Sequence, residues 1–135
     1  MLALAMIVGA GLYWTYTNSQ PTVRWRDQNF NLIIADSDSE RVQGLSGRAE
    51  LAKDEAMLFV FEESARWGIW MKDMNFAIDI VWLDEHKQVV HIERQVEPDT
   101  YPQVFTPTTD SRYVVEFPAG TVDSLGVKNG DSLDF

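Results

Sequence analysis

The chain has 135 residues, 45% of them apolar and 24% charged, with no cysteine and a formal net charge of -10. That length and balance fit one folded domain around a single core, and they exclude a disordered chain, a disulfide scaffold and a thiolate metal site. Twenty-one acidic against eleven basic residues also argue against a nucleic-acid partner, which needs clustered Lys and Arg to displace counterions.

Residues 1–14 are continuously apolar apart from their glycines, and residues 15–21 turn polar and end in Pro21. The run is shorter than the ~20 residues of a spanning helix and has the length of a signal-peptide core or part of an anchor. Tyr13, Trp14 and Tyr16 suit an interfacial belt. The expectation is a segment 1–20 that tethers a domain 21–135 to a membrane on its extracytoplasmic side, with an N-terminal core strand or helix as the competing reading.

Residues 22–26 alternate, with Val23 and Trp25 against Thr22, Arg24 and Arg26, and residues 30–35 are β-rich, so a hairpin is expected there. Residues 36–39 offer N-cap side chains to a helix of about two turns over 39–45, with Gly47 as a stop. Residues 56–61 read as a buried strand, and 66–71 alternate with Trp67, Ile69 and Met71 toward the core. Residues 76–83 are apolar at every position except Asp79, the pattern of a strand covered on both faces. A turn at 84–87 joins them to a strand over 88–95.

Residues 97–110 are rich in Pro and Thr and form either a functional flap or a plain excursion. Residues 112–117 resume strand character. A short helix capped by Thr121 and stopped by Gly126 follows, then a turn at 128–131 and a last strand at 132–135. The predicted fold is mainly β (α+β): a single barrel-like or strongly curved sheet with two short helices.

A carboxylate inside an apolar run either takes a proton or finds a cation and donors. Asp79 is therefore the foremost candidate, as a core ion pair with Lys72, Arg48 or Arg112 or as part of a site. Lys72 beside Trp70 suggests an aromatic and cationic lip for an anionic or sugar-like ligand. Glu116 is the second carboxylate in an apolar strand and is a possible acid/base partner of Asp79. By parity, however, Arg112, Val114 and Glu116 share a half-polar face, which predicts a solvent-facing Glu116. His86 and His91 lack metal-ligand spacing, Ser46 lacks the glycine of a nucleophile elbow, and no phosphate loop appears. No metal and no cofactor are expected.

The blocks Glu40-Arg41-Val42-Gln43-Gly44-Leu45 with Arg48 and Leu51, Met57-Leu58-Phe59-Val60-Phe61, Trp70-Met71-Lys72, Asp79-Ile80, Tyr113-Val114-Val115-Glu116, Ala119-Gly120 and Gly130-Asp131 resemble the uncharacterised bacterial and archaeal family called domain of unknown function 192. The resemblance runs from about Asn31 to Phe135. It implies a compact, mainly β domain with short helices, often behind a signal or anchor segment, and it singles out Arg41, Arg48, Trp70, Lys72, Asp79 and Glu116 without giving any of them a role. Ala56, Asp73, Met74, Ala77 and Ile78 depart from the family pattern, and Asp73 sets a carboxylate beside Lys72.

Three functions follow as expectations. The first is a membrane-tethered module that binds a small molecule or a protein partner at a cleft of Trp70, Lys72 and Asp79, with Arg48 as a further ligand-binding candidate. The second is a hydrolase or lyase using Asp79 and Glu116. The third is a structural accessory domain with Asp79 in a core ion pair.

Overall fold

The computed structural model describes residues 19–135; the apolar run 1–14, read above as an anchor, lies outside the described residues. Strands β1 (Thr22–Trp25) and β2 (Gln28–Ala35) form the expected hairpin, and β1 points Val23 and Trp25 inward and Thr22 and Arg24 outward. Helix α1 (Asp38–Gln43) begins with a capping box. The Ser37 hydroxyl accepts the Glu40 N–H, and the Glu40 carboxylate accepts the Ser37 N–H, which satisfies two donors that a helix start otherwise leaves open. Gly44, at φ 48°, ends this helix three residues before the expected stop.

Strand β3 (Glu55–Ala65) follows and runs parallel to β2. Then come β4 (Ile69–Trp70), β5 (Ile78–Leu83), β6 (Val89–Val96), a 3-10 turn at Pro98–Thr100, β7 (Val104–Phe105), β8 (Ser111–Pro118) and helix α2 (Thr121–Leu125). The main sheet has the order β1-β2-β3-β8-β5-β6, and β4 pairs with β7 in a separate ribbon. The excursion at 97–110 thus folds back onto the alternating stretch before β5. Gly68 makes this close approach possible, because a Cβ there would stand 2.6 Å from a Val104 methyl. In α2 the N-cap is Gly120 rather than Thr121, whose hydroxyl donates to the Pro118 carbonyl, and Gly126 ends the helix as expected.

All six residues of β5 are buried, because each face of the sheet carries its own core. One holds Phe30, Leu58, Val81 and Phe117 with Val122, Val127 and Leu133 over them. The other holds Met57, Phe59, Ile80, Trp82 and Val114 under Leu45, Leu51, Ile69 and Met71.

The barrel expectation is corrected. β1 and β6 are the edges of an open sheet and do not pair with each other, whereas a barrel closes every edge and keeps one face inside. Residues 132–135, expected as a strand, instead make isolated bridges, Ser132 to Gln88 and Asp134 to Arg24. They span the gap between the two edges without filling it.

Candidate functional site

A pocket of about 360 Å³ opens on the second face of the sheet. Its floor is Phe59 and Phe61 of β3 with Glu116 of β8, and its walls are residues 41–46 on one side and 67–70 with Met74 on the other. The Trp67 ring stacks on Phe61 at 4.2 Å with 8° between planes. Two indole hydrogen bonds fix this wall: Trp67 donates to the Glu63 carbonyl at 3.1 Å, and Trp82 donates to the Trp67 carbonyl at 2.8 Å. Trp70 stands half exposed at the rim, edge-on to Tyr101 at 5.5 Å. Arg41 lies 5.4 Å from the Phe61 ring centre. Its guanidinium donates to the carbonyls of Asp36 and Val60 and to the Asp38 carboxylate, so it ties α1 to β3.

Glu116 is 4% exposed, opposite Met57 of β3 and Ile80 of β5. Its Oε2 has no hydrogen-bond partner among the described residues. Burial without a cation pushes its carboxyl up to about 8, so at neutral pH it is mainly a neutral acid that can donate as well as accept. The solvent-facing expectation is therefore corrected. Parity did place Arg112, Val114 and Glu116 on one face, but that face carries the second core. Arg112 sits nearer the strand end, where its Nε donates to the Phe61 carbonyl.

Asp79 lies on the other face. It is 1% exposed, and its two oxygens accept the backbone N–H groups of Gln95 and Val122, each at 2.8 Å. Those donors stand where an ion-pair partner was expected. Gln95, at φ 48°, lies near the irregular end of the β5/β6 pairing, and Val122 opens α2. One carboxyl thus fastens an edge strand and a helix start to the strand β5 beside them. Lys72, Arg48 and Arg112 make no ion pair with it among the described residues.

The proposed Trp70, Lys72 and Asp79 cleft does not assemble, because the sheet separates Asp79 from the other two. For the same reason Asp79 and Glu116 share no acid/base site. Trp70 and Lys72 do meet, with the Lys72 Nζ 5.7 Å from the ring centre, and they line a second hollow beside the pocket together with Asp73. Arg48 is exposed, and its carbonyl accepts the Asn75 side chain at 2.8 Å. His91 pairs with Glu93 at 2.9 Å. Phe61 and Trp67 were read in the sequence as core positions only, and neither their stacking nor the tie made by Arg41 was foreseen as part of a site. The available signal was Glu116 itself, since β8 is as apolar around it as β5 is around Asp79.

The model of the domain of unknown function 192 family, described as an uncharacterised ACR, matches residues 20–135. A UPF0127 protein of Thermococcus gammatolerans is 30% identical over 104 residues, which is 76% of this chain and 64% of its own. A second, from Thermococcus kodakarensis, is 30% identical over 106 residues, 76% of this chain and 62% of its own. The chain therefore spans less than two thirds of the length of these relatives. Among solved structures, a protein of unknown function from Novosphingobium aromaticivorans superposes with TM-score 0.76 at 25% identity, covering 84% of this chain and 82% of its own. One from Sinorhizobium meliloti, described as a putative transcription regulator, gives 0.77 at 28% identity, covering 84% and 89%. The match to the family model takes in both cores, the pocket and both buried carboxyls, and the chain belongs to the domain of unknown function 192 family.

Proposed function

We propose that this domain binds a small, largely apolar molecule in the Glu116 pocket and that residues 1–20 tether it to a membrane on the extracytoplasmic side. The observation that carries the binding reading is the Glu116 Oε2, buried and without a hydrogen-bond partner among the described residues, at the floor of an aromatic-lined pocket. A buried polar group without a partner destabilises a fold by roughly 1–3 kcal/mol, and such groups are retained where a ligand completes them. Ligand sites commonly combine an apolar lining with a few placed polar groups. A carboxylate-pair hydrolase or lyase loses its support because Asp79 and Glu116 occupy opposite faces. The net charge of -10 opposes a DNA-contacting role for this chain, so the description of the Sinorhizobium protein as a putative transcription regulator is not carried over.

A thermal-shift screen of small metabolites on wild type and Glu116→Gln tests the binding reading. Ligands of the pocket raise the melting temperature of wild type and lose that effect in the variant. Hits that stabilise both proteins alike would remove the pocket from the reading. The tether rests on the apolar run 1–14. In cell fractionation the full chain should sediment with membranes, and an unprocessed full chain found wholly in the soluble fraction would remove it.

A further inference from the structure

The ionisable groups around the pocket leave Glu116 alone. From α1, Asp38 and Arg41 reach it, but Arg41 is engaged by the Asp36 carbonyl at 2.6 Å, the Val60 carbonyl at 2.8 Å and the Asp38 carboxylate at 2.5 Å. The strands β3 and β5 present Met57 and Ile80 to Glu116. Residues 67–70 and Met74 contribute aromatic and apolar lining only. Lys72 and Asp73 line the neighbouring hollow instead. Among the described residues Glu116 pairs with no cation and its Oε2 has no hydrogen-bond partner, while Phe59, Phe61, Trp67 and Trp70 line the same pocket.

Building on the ligand-binding reading, we infer that the occupant is a small organic cation, an ammonium group on an apolar or aromatic body, whose charge rests between the Glu116 carboxylate and the aromatic walls. Aromatic faces attract ammonium groups, most strongly once water is removed. An anion could accept a hydrogen bond from the protonated Glu116 but would be opposed by the net charge of -10 and by the carboxylate once Glu116 ionises. A neutral ligand could answer the Glu116 hydrogen bond but would gain nothing from a protein with 21 acidic and 11 basic residues, whose field concentrates cations at its surface.

The ammonium enters charged and stays charged, and Glu116 breaks its O–H bond and gives the proton to solvent. One proton therefore leaves for each cation bound wherever the free protein holds Glu116 protonated. Affinity rises about tenfold per pH unit until Glu116 of the free protein has ionised, near pH 8, and then levels off.

Titration calorimetry of the full chain tests this with benzyltrimethylammonium, whose charge does not titrate, with 2-phenylethanol as the neutral probe and 3-phenylpropionate as the anionic one. Buffers of different ionisation heat should report close to one proton released at about pH 6 and almost none at about pH 9. The cation should bind at least tenfold more tightly than either other probe at the higher pH. Glu116→Gln, with its fold checked by melting, should lose both the proton release and that preference. Proton release unchanged in Glu116→Gln would overturn the assignment. Tighter binding of the alcohol, without proton release and weakening above about pH 8, would keep the pocket and overturn the cation. If none of the three probes binds, Glu116-dependent hits of other chemistry in the metabolite screen overturn the cation alone, and an empty screen overturns the binding reading with it.

Discussion

On the adjacent interior strands β5 and β8, Asp79 faces Phe117 and Glu116 faces Ile80. Alternation sends the two carboxyls to opposite faces, and their surroundings then separate their roles. Asp79 has two N–H donors; Glu116 has none on its sealed oxygen. Burial raises the Glu116 carboxyl from 4.5 to about 8, so the native state keeps a proton that the unfolded chain releases. Its contribution to stability is whole below pH 4.5, shrinks as pH rises and is lost above about 8, a total of about 3–5 kcal/mol at 1.4 per unit. Urea unfolding of wild type and Glu116→Gln over that range should show wild type falling relative to the variant. Parallel curves would remove the buried neutral acid. Asp79→Leu leaves one buried N–H group, of Val122, and one part-buried, of Gln95, without acceptors and should cost about 2–4 kcal/mol. Asp79→Asn keeps one acceptor oxygen and should cost roughly half as much. Denaturant melts with Lys72, Arg48 or Arg112 changed to Met should show no rescue of Asp79→Leu, and rescue by any one of them would restore the ion pair. The isolated carboxyl was visible in the sequence at both positions. Its partners were not, because Val122 lies 43 residues from Asp79 and one chain's periodicity carries no information at that separation.

At the scale of elements, the pocket depends on short pieces. α1 has six residues and none of them is buried, so neither propensity nor core packing holds it, and a helix this short does not form alone in water. Its capping box and the Arg41 tie to the Val60 carbonyl hold it against β3. Ser37→Ala removes the hydroxyl that accepts the Glu40 N–H and should cost about 1 kcal/mol. Because residues 41–46 wall the pocket, the same change should weaken any Glu116-dependent ligand found by thermal shift. A ligand effect unchanged in Ser37→Ala would show that the wall stands without its cap. The cap was legible in the residues themselves, as two serines and two aspartates ahead of Glu40. In the opposite wall alternation gave the inward Ile69 and Met71 but not the pairing that holds them, since β4 is only two residues long and exists through its pairing with β7, thirty-odd residues on.

At the scale of the molecule, the C-terminal residues join the parts. Leu133 is 3% exposed within the first core, and its N–H donates to the Lys87 carbonyl at 3.1 Å. Asp134 bridges Arg24 on the far edge, and Phe135 packs edge-on against Tyr113. Leu133→Ala should cost about 2–4 kcal/mol, the usual range for emptying a buried leucine site, as read from the urea midpoint. A loss under about 1 kcal/mol would mean that the segment merely lies on the sheet. Local chemistry in the sequence determined the β1/β2 hairpin, the doubly covered strand β5, the turn after it, the capped helix near Ser37 and the end of α2 at Gly126, because alternation, capping and left-handed glycines act over a few residues. Tertiary structure decided that β2 and β3 run parallel, that the sheet stays open, that Asp79 meets backbone N–H groups instead of a cation, and that Glu116 looks into a pocket instead of into water. Pleat parity states which residues share a face, but what covers that face is set by segments that are distant in the chain and meet only when it folds.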